Sequence, residues 1–223
     1  KAIGYTDDDL AKPIVGVAAL QESIATPQTR ITSTGAITVT SEYDSSVQYV
    51  FRDWAAHGTL DFNGAIARSS DVYFYELAGG LWEGGKETFK GLGADRLASW
   101  ARVAGFGRPT GIGLPGEASG VVPDSAWKKR TTGDEWLLGD TYTFGIGQGY
   151  LATSLVQMAA LTAGIANRGE VPVPRIVRGV EQGGILGVDH DTGAVKDSNL
   201  VNRVSVVVYG TAHQVLQQIV GFS

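Results

Sequence analysis

The sequence predicts an α+β fold, helices flanking a few separated strands, and three stretches lead there. From Lys12 the run Lys12-Pro13-Ile14-Val15-Gly16-Val17-Ala18-Ala19-Leu20-Gln21-Glu22 is nearly continuous in apolar residues and reads as a buried helix to about Ser23. Between Thr26 and Tyr49 the chain turns β-branched and Ser/Gly-rich, with Ile31-Thr32-Ser33-Thr34-Gly35-Ala36-Ile37-Thr38-Val39-Thr40 reading as short strands with turns. After Arg68-Ser69-Ser70-Asp71, the positions Val72, Tyr75, Leu77 and Ala78 return to the spacing of a buried helix.

Taken in order, the acidic triplet Asp7-Asp8-Asp9 reads as a solvated loop before the first helix, with Pro13 early enough for a first helical turn. Lys12 heads that apolar helix, and a charge there costs free energy unless it is paired or snorkels to water; the spacing leaves both open. Ser69 and Asp71, two apart before the aromatic helix, either satisfy backbone donors at the helix start or face one side together as a site. Phe89, Leu92, Leu97, Trp100, Ala101 and Val103 then recur at helical spacing, with Gly105-Phe106-Gly107 ending the run. Arg108 to Glu117 is Gly/Pro punctuation around a short apolar strand; without a Gly-Lys-Thr step it is not a nucleotide loop. Gly147-Gln148-Gly149 is a tight turn or a place of close backbone approach. A small-residue helix begins near Gln157-Met158-Ala159 and ends near Asn167-Arg168-Gly169. Val171 to Val177 is extended because of its two prolines, Gly183-Gly184 is a turn to a partner strand, and Asn199 to Val220 reads as helix interrupted near Gly210.

A chain of 223 residues fits one large domain with a sizeable core. The net charge of -5, with no basic run longer than Lys128-Lys129-Arg130, gives no footprint for nucleic acid. No window of about 18 apolar residues spans a membrane, and Lys1 to Tyr5 lacks a signal-peptide pattern, although an anchor can lie outside this chain. The absence of Cys removes disulfides, thiol catalysis and cysteine metal sites without assigning a compartment.

Several motifs together resemble one family. Ser69-Ser70-Asp71 before a Tyr/Phe-rich helix resembles the second signature of penicillin-binding proteins, Ser-x-Asn in most members and Ser-x-Asp in the elongation-type class B enzymes. Lys12-Pro13 and the small apolar run after it are similar to the helix those proteins open with Ser-x-x-Lys. Arg52-Asp53-Trp54 and His57-Gly58 resemble their Arg-Asp-Trp and Gly-His-Gly elements. Gly105 to Lys128 is similar almost residue for residue, and the likeness continues through Gly139-Asp140-Thr141-Tyr142 and Gly145 to Tyr150. The resemblance is to the transpeptidase domain of elongation-type class B penicillin-binding proteins, the penicillin-binding protein 2 group, and it spans nearly the whole chain from Lys12.

That resemblance implies the fold shared with serine β-lactamases, an antiparallel sheet flanked by helices plus an all-helical part. It implies a peptidoglycan D,D-transpeptidase that cross-links stem peptides during cell elongation through a serine acyl-enzyme, without a cofactor, and that β-lactams trap. Residue by residue, Lys12 is then the base that activates the serine, Ser69 the proton-shuttling hydroxyl, and Asp71 the group that orients the lysine or the donor peptide. Gly147, Gln148 and Gly149 pack against the active-site wall, and backbone N–H groups form the oxyanion hole. Some members hold zinc with an Asp and the His at this place and a Cys beside the second signature. Asp53 and His57 are weak candidates, because Ser70 stands where the Cys would be and two ligands do not make a site. The implied setting is the extracytoplasmic face of the bacterial inner membrane, with a membrane helix and a pedestal domain outside this chain and a polytopic glycan polymerase as partner.

Two departures stand out. Asp9, not Ser, lies three before Lys12, and the third signature, Lys-Ser/Thr-Gly-Thr, is absent; Gly210-Thr211-Ala212-His213 better resembles the element one helix before it. Either the chain is an inactive homologue serving as a scaffold in a cell-wall assembly, or stretches are missing near residues 11/12 and 220/221. The second reading is the one adopted. β-Lactamase or sensor activity is set lower, since residues 105 to 128 point to the transpeptidases.

Overall fold

Helix α1 (Asp8–Gln21) owes its place to Ala11, Ile14, Val15, Ala18 and Ala19, which recur at the three-and-four spacing of one helical face and are all buried. It is part of a computed structural model that describes residues 8–41, 44, 46–83, 86–182, 185–187 and 204–206. The helix starts at Asp8, before the expected start at Lys12, so Asp8 and Asp9 form its first turn instead of a solvated loop. Pro13 consequently sits inside the helix, and having no N–H it donates nothing to the carbonyl of Asp9. The helix runs without interruption through Ala11 and Lys12.

The chain forms two compact units. The first comprises residues 1–108 and 120–153. In it, β1 (Ile31–Ser33) pairs antiparallel with β4 (Gly58–Leu60), and β2 (Ala36–Thr40) forms a hairpin with β3 (Gln48–Arg52) in the register Ala36 to Arg52. Helices α2 (Phe62–Arg68) and α3 (Asp71–Gly79) follow, then a ribbon of β5 (Leu81–Glu83) and β6 (Lys86–Phe89), and then α4 (Ala94–Val103), α5 (Ser125–Thr132) and α6 (Leu138–Gly145).

Helix α3 is the core of this unit. Every residue from Val72 to Ala78 is buried, and α3 packs against α1, α4, α6 and β1. A helix so enclosed needs small neighbours. A Cβ on Gly145 of α6 would lie 2.4 Å from the Ala78 methyl, so only glycine allows that crossing. Aromatic rings fill the remaining space, with Phe51 edge-on to both Tyr75 and Tyr142. Phe89, expected on a helix, is in β6 opposite Leu81, because a local ladder took it before α4 began.

The second unit comprises residues 109–119 and 154–223. Its first segment has no strand in the expected 108–117 stretch. Instead the Glu117 carboxylate accepts from the Thr110 N–H at 2.7 Å and from the Thr110 hydroxyl at 2.5 Å, so side-chain bonds replace a ladder. Helix α7 (Leu155–Ala166) starts in a capping box of Ser154 and Gln157, and Gln157 also donates to the Ser119 carbonyl at 2.9 Å. Strands β7 (Val177–Gln182), β8 (Ile185–Gly187) and β9 (Val204–Val206) form an antiparallel sheet in the order β8, β7, β9. β9 corrects the helix expected over 199–220: Val204 and Val206 are β-branched and find a partner in β7. The Gly183-Gly184 turn, the rest of 199–220 and the 220/221 junction lie outside the described residues, while the strands on either side of that turn do pair. Helices with antiparallel ladders make the fold α+β.

Candidate active site

The turn between α2 and α3 carries three polar residues with divided duties. Ser69 ends α2 in a left-handed conformation, φ 51° and ψ 43°, which is unfavourable for a residue with a Cβ. Ser70 is the N-cap of α3, its hydroxyl accepting from the Tyr73 N–H at 3.4 Å. The capping role that Ser69 and Asp71 were candidates for therefore belongs to Ser70, and its neighbours are left for other partners.

Their partner is Lys12. Its Nζ lies 2.7 Å from Ser69 Oγ, 2.9 Å from the Ser69 carbonyl oxygen and 2.6 Å from Asp71 Oδ1. At 3% exposure Lys12 does not snorkel to water; it is buried and paired. The three residues predicted to act together are thus brought together, across 57 residues of sequence between Lys12 and Ser69. A lysine in contact with a serine hydroxyl and a carboxylate can receive a proton, pass it through the hydroxyl and hold the resulting charge.

Behind this turn lies Asp53, whose side chain is fully buried. Its Oδ2 accepts from the Ser70 hydroxyl at 2.7 Å, the Ser33 hydroxyl at 3.0 Å and the Val72 N–H at 3.1 Å, and its Oδ1 accepts from the Trp54 N–H at 2.9 Å. Burial alone pushes this carboxyl up, but the hydrogen bonds from Ser70, Val72, Asp71 and Ser33 outweigh it and hold the group below the usual carboxylate range. His57 Nε2 sits 3.4 Å from Asp53 Oδ1 without a hydrogen bond to any described residue, under the edge of Trp54.

This set does not fit a zinc ion. Asp53 Oδ2 already accepts three hydrogen bonds and Oδ1 one, and neutral serine hydroxyls are poor ligands beside thiolate, imidazole and carboxylate. Only the His57 nitrogen is left over, and no group of three His, Cys, Asp or Glu side chains able to hold a metal occurs among the described residues. Sequence reasoning placed Asp53 and His57 side by side but missed Ser33 and the hydrogen-bonding role of Ser70; the hydroxyls beside the second motif were the available signal.

Gly147, Gln148 and Gly149 form the turn that ends α6, with Gly147 N–H donating to the Phe144 carbonyl and Gln148 N–H to the Thr143 carbonyl. The two glycines have φ of 86° and 72°, and a Cβ on Gly149 would meet Thr143 Oγ1 at 2.8 Å. Next to this turn Lys128, also buried, donates to Asp140 at 2.6 Å and lies 5.7 Å from the centre of the Tyr150 ring, a pairing with no signal in the sequence.

Residues 10–221 match the family described as the penicillin binding protein transpeptidase domain. The chain is 34% identical over 197 residues to a peptidoglycan D,D-transpeptidase MrdA of Haemophilus influenzae, covering 87% of this chain and 28% of that protein. It is 36% identical over 181 residues to the MrdA of Salmonella typhimurium, covering 80% of this chain and 26% of that protein. Among solved structures it superimposes on Pseudomonas aeruginosa PBP2 in complex with WCK 5153 with a TM-score of 0.64 at 34% identity, over 75% of this chain and 33% of that one. It also superimposes on the PBP2 of Helicobacter pylori in complex with MreC, with a TM-score of 0.63 at 31% identity, over 75% of this chain and 28% of that one. The chain thus spans little more than a quarter of the length of these two curated relatives.

Proposed function

We propose, for a chain that belongs to the penicillin-binding protein transpeptidase domain family, that it supplies the proton-handling centre of a peptidoglycan D,D-transpeptidase acting during cell elongation. The observation that carries this reading is the placement of the buried Lys12 Nζ between Ser69 Oγ and Asp71 Oδ1.

In the proposed reaction a serine hydroxyl attacks the carbonyl carbon of the penultimate residue of a D-Ala-D-Ala stem peptide, and Lys12, as the free amine, takes the hydroxyl proton. Asp71 steadies the ammonium that results. When the tetrahedral intermediate collapses, the bond to the terminal D-Ala breaks, and its departing amine receives the proton from Lys12 through Ser69. An acceptor amine then attacks the ester, gives up its proton by the same route and releases the serine. A β-lactam enters the first half of this sequence and stops there, because its leaving group stays attached. The Gly147-Gln148-Gly149 turn is proposed to line the substrate cleft.

The nucleophile is proposed to belong to a segment of the parent protein between Ala11 and Lys12, where this chain has Asp9 three positions before the lysine. A second omitted segment, near residues 220 and 221, is proposed to carry the third signature. The parent protein is proposed to work at the outer face of the bacterial inner membrane, held by a helix outside this chain; no helix among the described residues is long and apolar enough to cross a membrane. Its proposed partners are a polytopic glycan polymerase and, by likeness to the Helicobacter pylori complex, an MreC-type protein.

The test is covalent labelling of the full-length protein with a penicillin. One adduct per molecule is expected, forming about 10²–10⁴-fold more slowly in Lys12→Ala, the range for loss of a general acid–base group. No adduct on the wild-type protein would leave a transpeptidase fold without the activity.

A further inference from the structure

We infer that Asp53 is the positioning residue of this centre, a buried carboxylate that sets the Ser69–Asp71 turn against Lys12 by hydrogen bonds and without a metal ion. The inference rests on the reading of Lys12, Ser69 and Asp71 as the proton-handling groups.

The turn needs holding from two sides. Ser69 is left-handed, a conformation unfavourable for a residue with a Cβ. Lys12 engages the turn on its reactive side, through the Ser69 carbonyl, the Ser69 hydroxyl and Asp71. Asp53 engages the residues between and after them, taking the Ser70 hydroxyl and the Val72 N–H on one oxygen. Each residue from 69 to 72 is thereby tied to the lysine or to this carboxylate, and Asp71 to both, through its side chain to Lys12 and its N–H to Asp53.

Asp53 is itself fixed from the sheet side. It follows β3 directly, its N–H donates to the Gly35 carbonyl ahead of β2, and its Oδ2 accepts from Ser33 at the end of β1. Two separate ladders and the start of α3 therefore meet at one side chain. The chemistry of the donors calls for an anion. Ser33, Ser70, Val72 and Trp54 all present hydrogens to the carboxylate, so an amide of the same shape would turn an NH₂ group toward at least one N–H or O–H donor. Asp53→Asn is thus nearly silent sterically while reversing the polarity of part of the hub.

The experiment uses the full-length protein, with penicillin acylation followed as a function of concentration to separate the limiting rate from the half-saturating concentration. Asp53→Asn is expected to lower the limiting rate by about 10²-fold, the cost typical of a misplacement near 1 Å, and to leave the half-saturating concentration and the final adduct stoichiometry unchanged. Hydrogen exchange at Val72 and Tyr73 should quicken in the same variant while exchange in α6 does not. Ser70→Ala, which removes one donor and keeps the charge, is expected to lower the limiting rate about 10-fold and decides the matter if Asp53→Asn does not fold. A merely structural role would reduce adduct stoichiometry with the rate constant intact, and that outcome overturns the inference. So does one equivalent of zinc in the purified protein with a rate that falls on chelation. If wild-type protein forms no adduct, the enzymatic reading fails; the exchange measurement still tests the hub, and unchanged exchange at Val72 would refute it.

Discussion

Ser69 and Ser70 carry the same side chain in adjacent positions with opposite duties. Ser69 is left-handed and faces Lys12; Ser70 is extended, caps α3 and donates to Asp53. Their alanine variants should therefore separate. Ser70→Ala loses an N-cap and a hydrogen bond to a buried carboxylate, and a stability loss of about 2 kcal/mol is expected in urea unfolding. Ser69→Ala leaves Lys12 its contacts to Asp71 and to the Ser69 carbonyl but removes one buried hydrogen bond, so a stability loss of about 1 kcal/mol is expected while penicillin acylation slows about 10²–10³-fold. Equal stability losses in the two variants would contradict this division. The grouping of Lys12, Ser69 and Asp71 was legible only through family resemblance, because no local periodicity links a lysine on α1 to a turn 57 residues away. The hub at Asp53 was not legible, since hydrogen bonds spanning 17 and 20 residues to Ser70 and Ser33 leave no pattern in a sequence.

Among the elements, α3 holds a carboxyl that the mechanism does not use. Glu76 is buried on this helix, and burial first, then the charge of Glu83, push its carboxyl up from 4.5 to about 7. An acid with a higher pKa folded than unfolded binds more protons in the folded state between those two values. Its penalty is absent well below the unfolded value, grows as pH rises between the two values and is complete above the folded one, so stability falls across that window. Glu76→Gln should match wild type near about pH 4 and exceed it near about pH 8 by on the order of 2–3 kcal/mol in urea unfolding. A constant difference at both pH values would mean that the carboxyl does not titrate in this window. Buried helices were read correctly where apolar spacing was strong, as in α1, α3 and α7. The errors fell where strand pairing decides: Phe89 joined a ribbon, 204–206 joined β7, and the apolar residues of 108–117 found no partner strand. Their side chains alone do not distinguish these outcomes.

At the scale of the whole molecule, membership of the transpeptidase family and the α+β fold stand together, and the first unit alone brings the proton-handling residues into contact. What that unit lacks is a serine one helical turn before Lys12: Asp9 is there, in the same helix. The account stands or falls on this position. The most direct measurement is a mass map of the full-length protein after reaction with a penicillin, with cleavage before aspartate and after glutamate to release the peptide that ends at Glu22. The account predicts a peptide longer than Asp9 to Glu22 alone, containing a serine three residues before the lysine and carrying the penicilloyl group. An unmodified peptide with the mass of Asp9 to Glu22 would contradict it and leave the chain a scaffold.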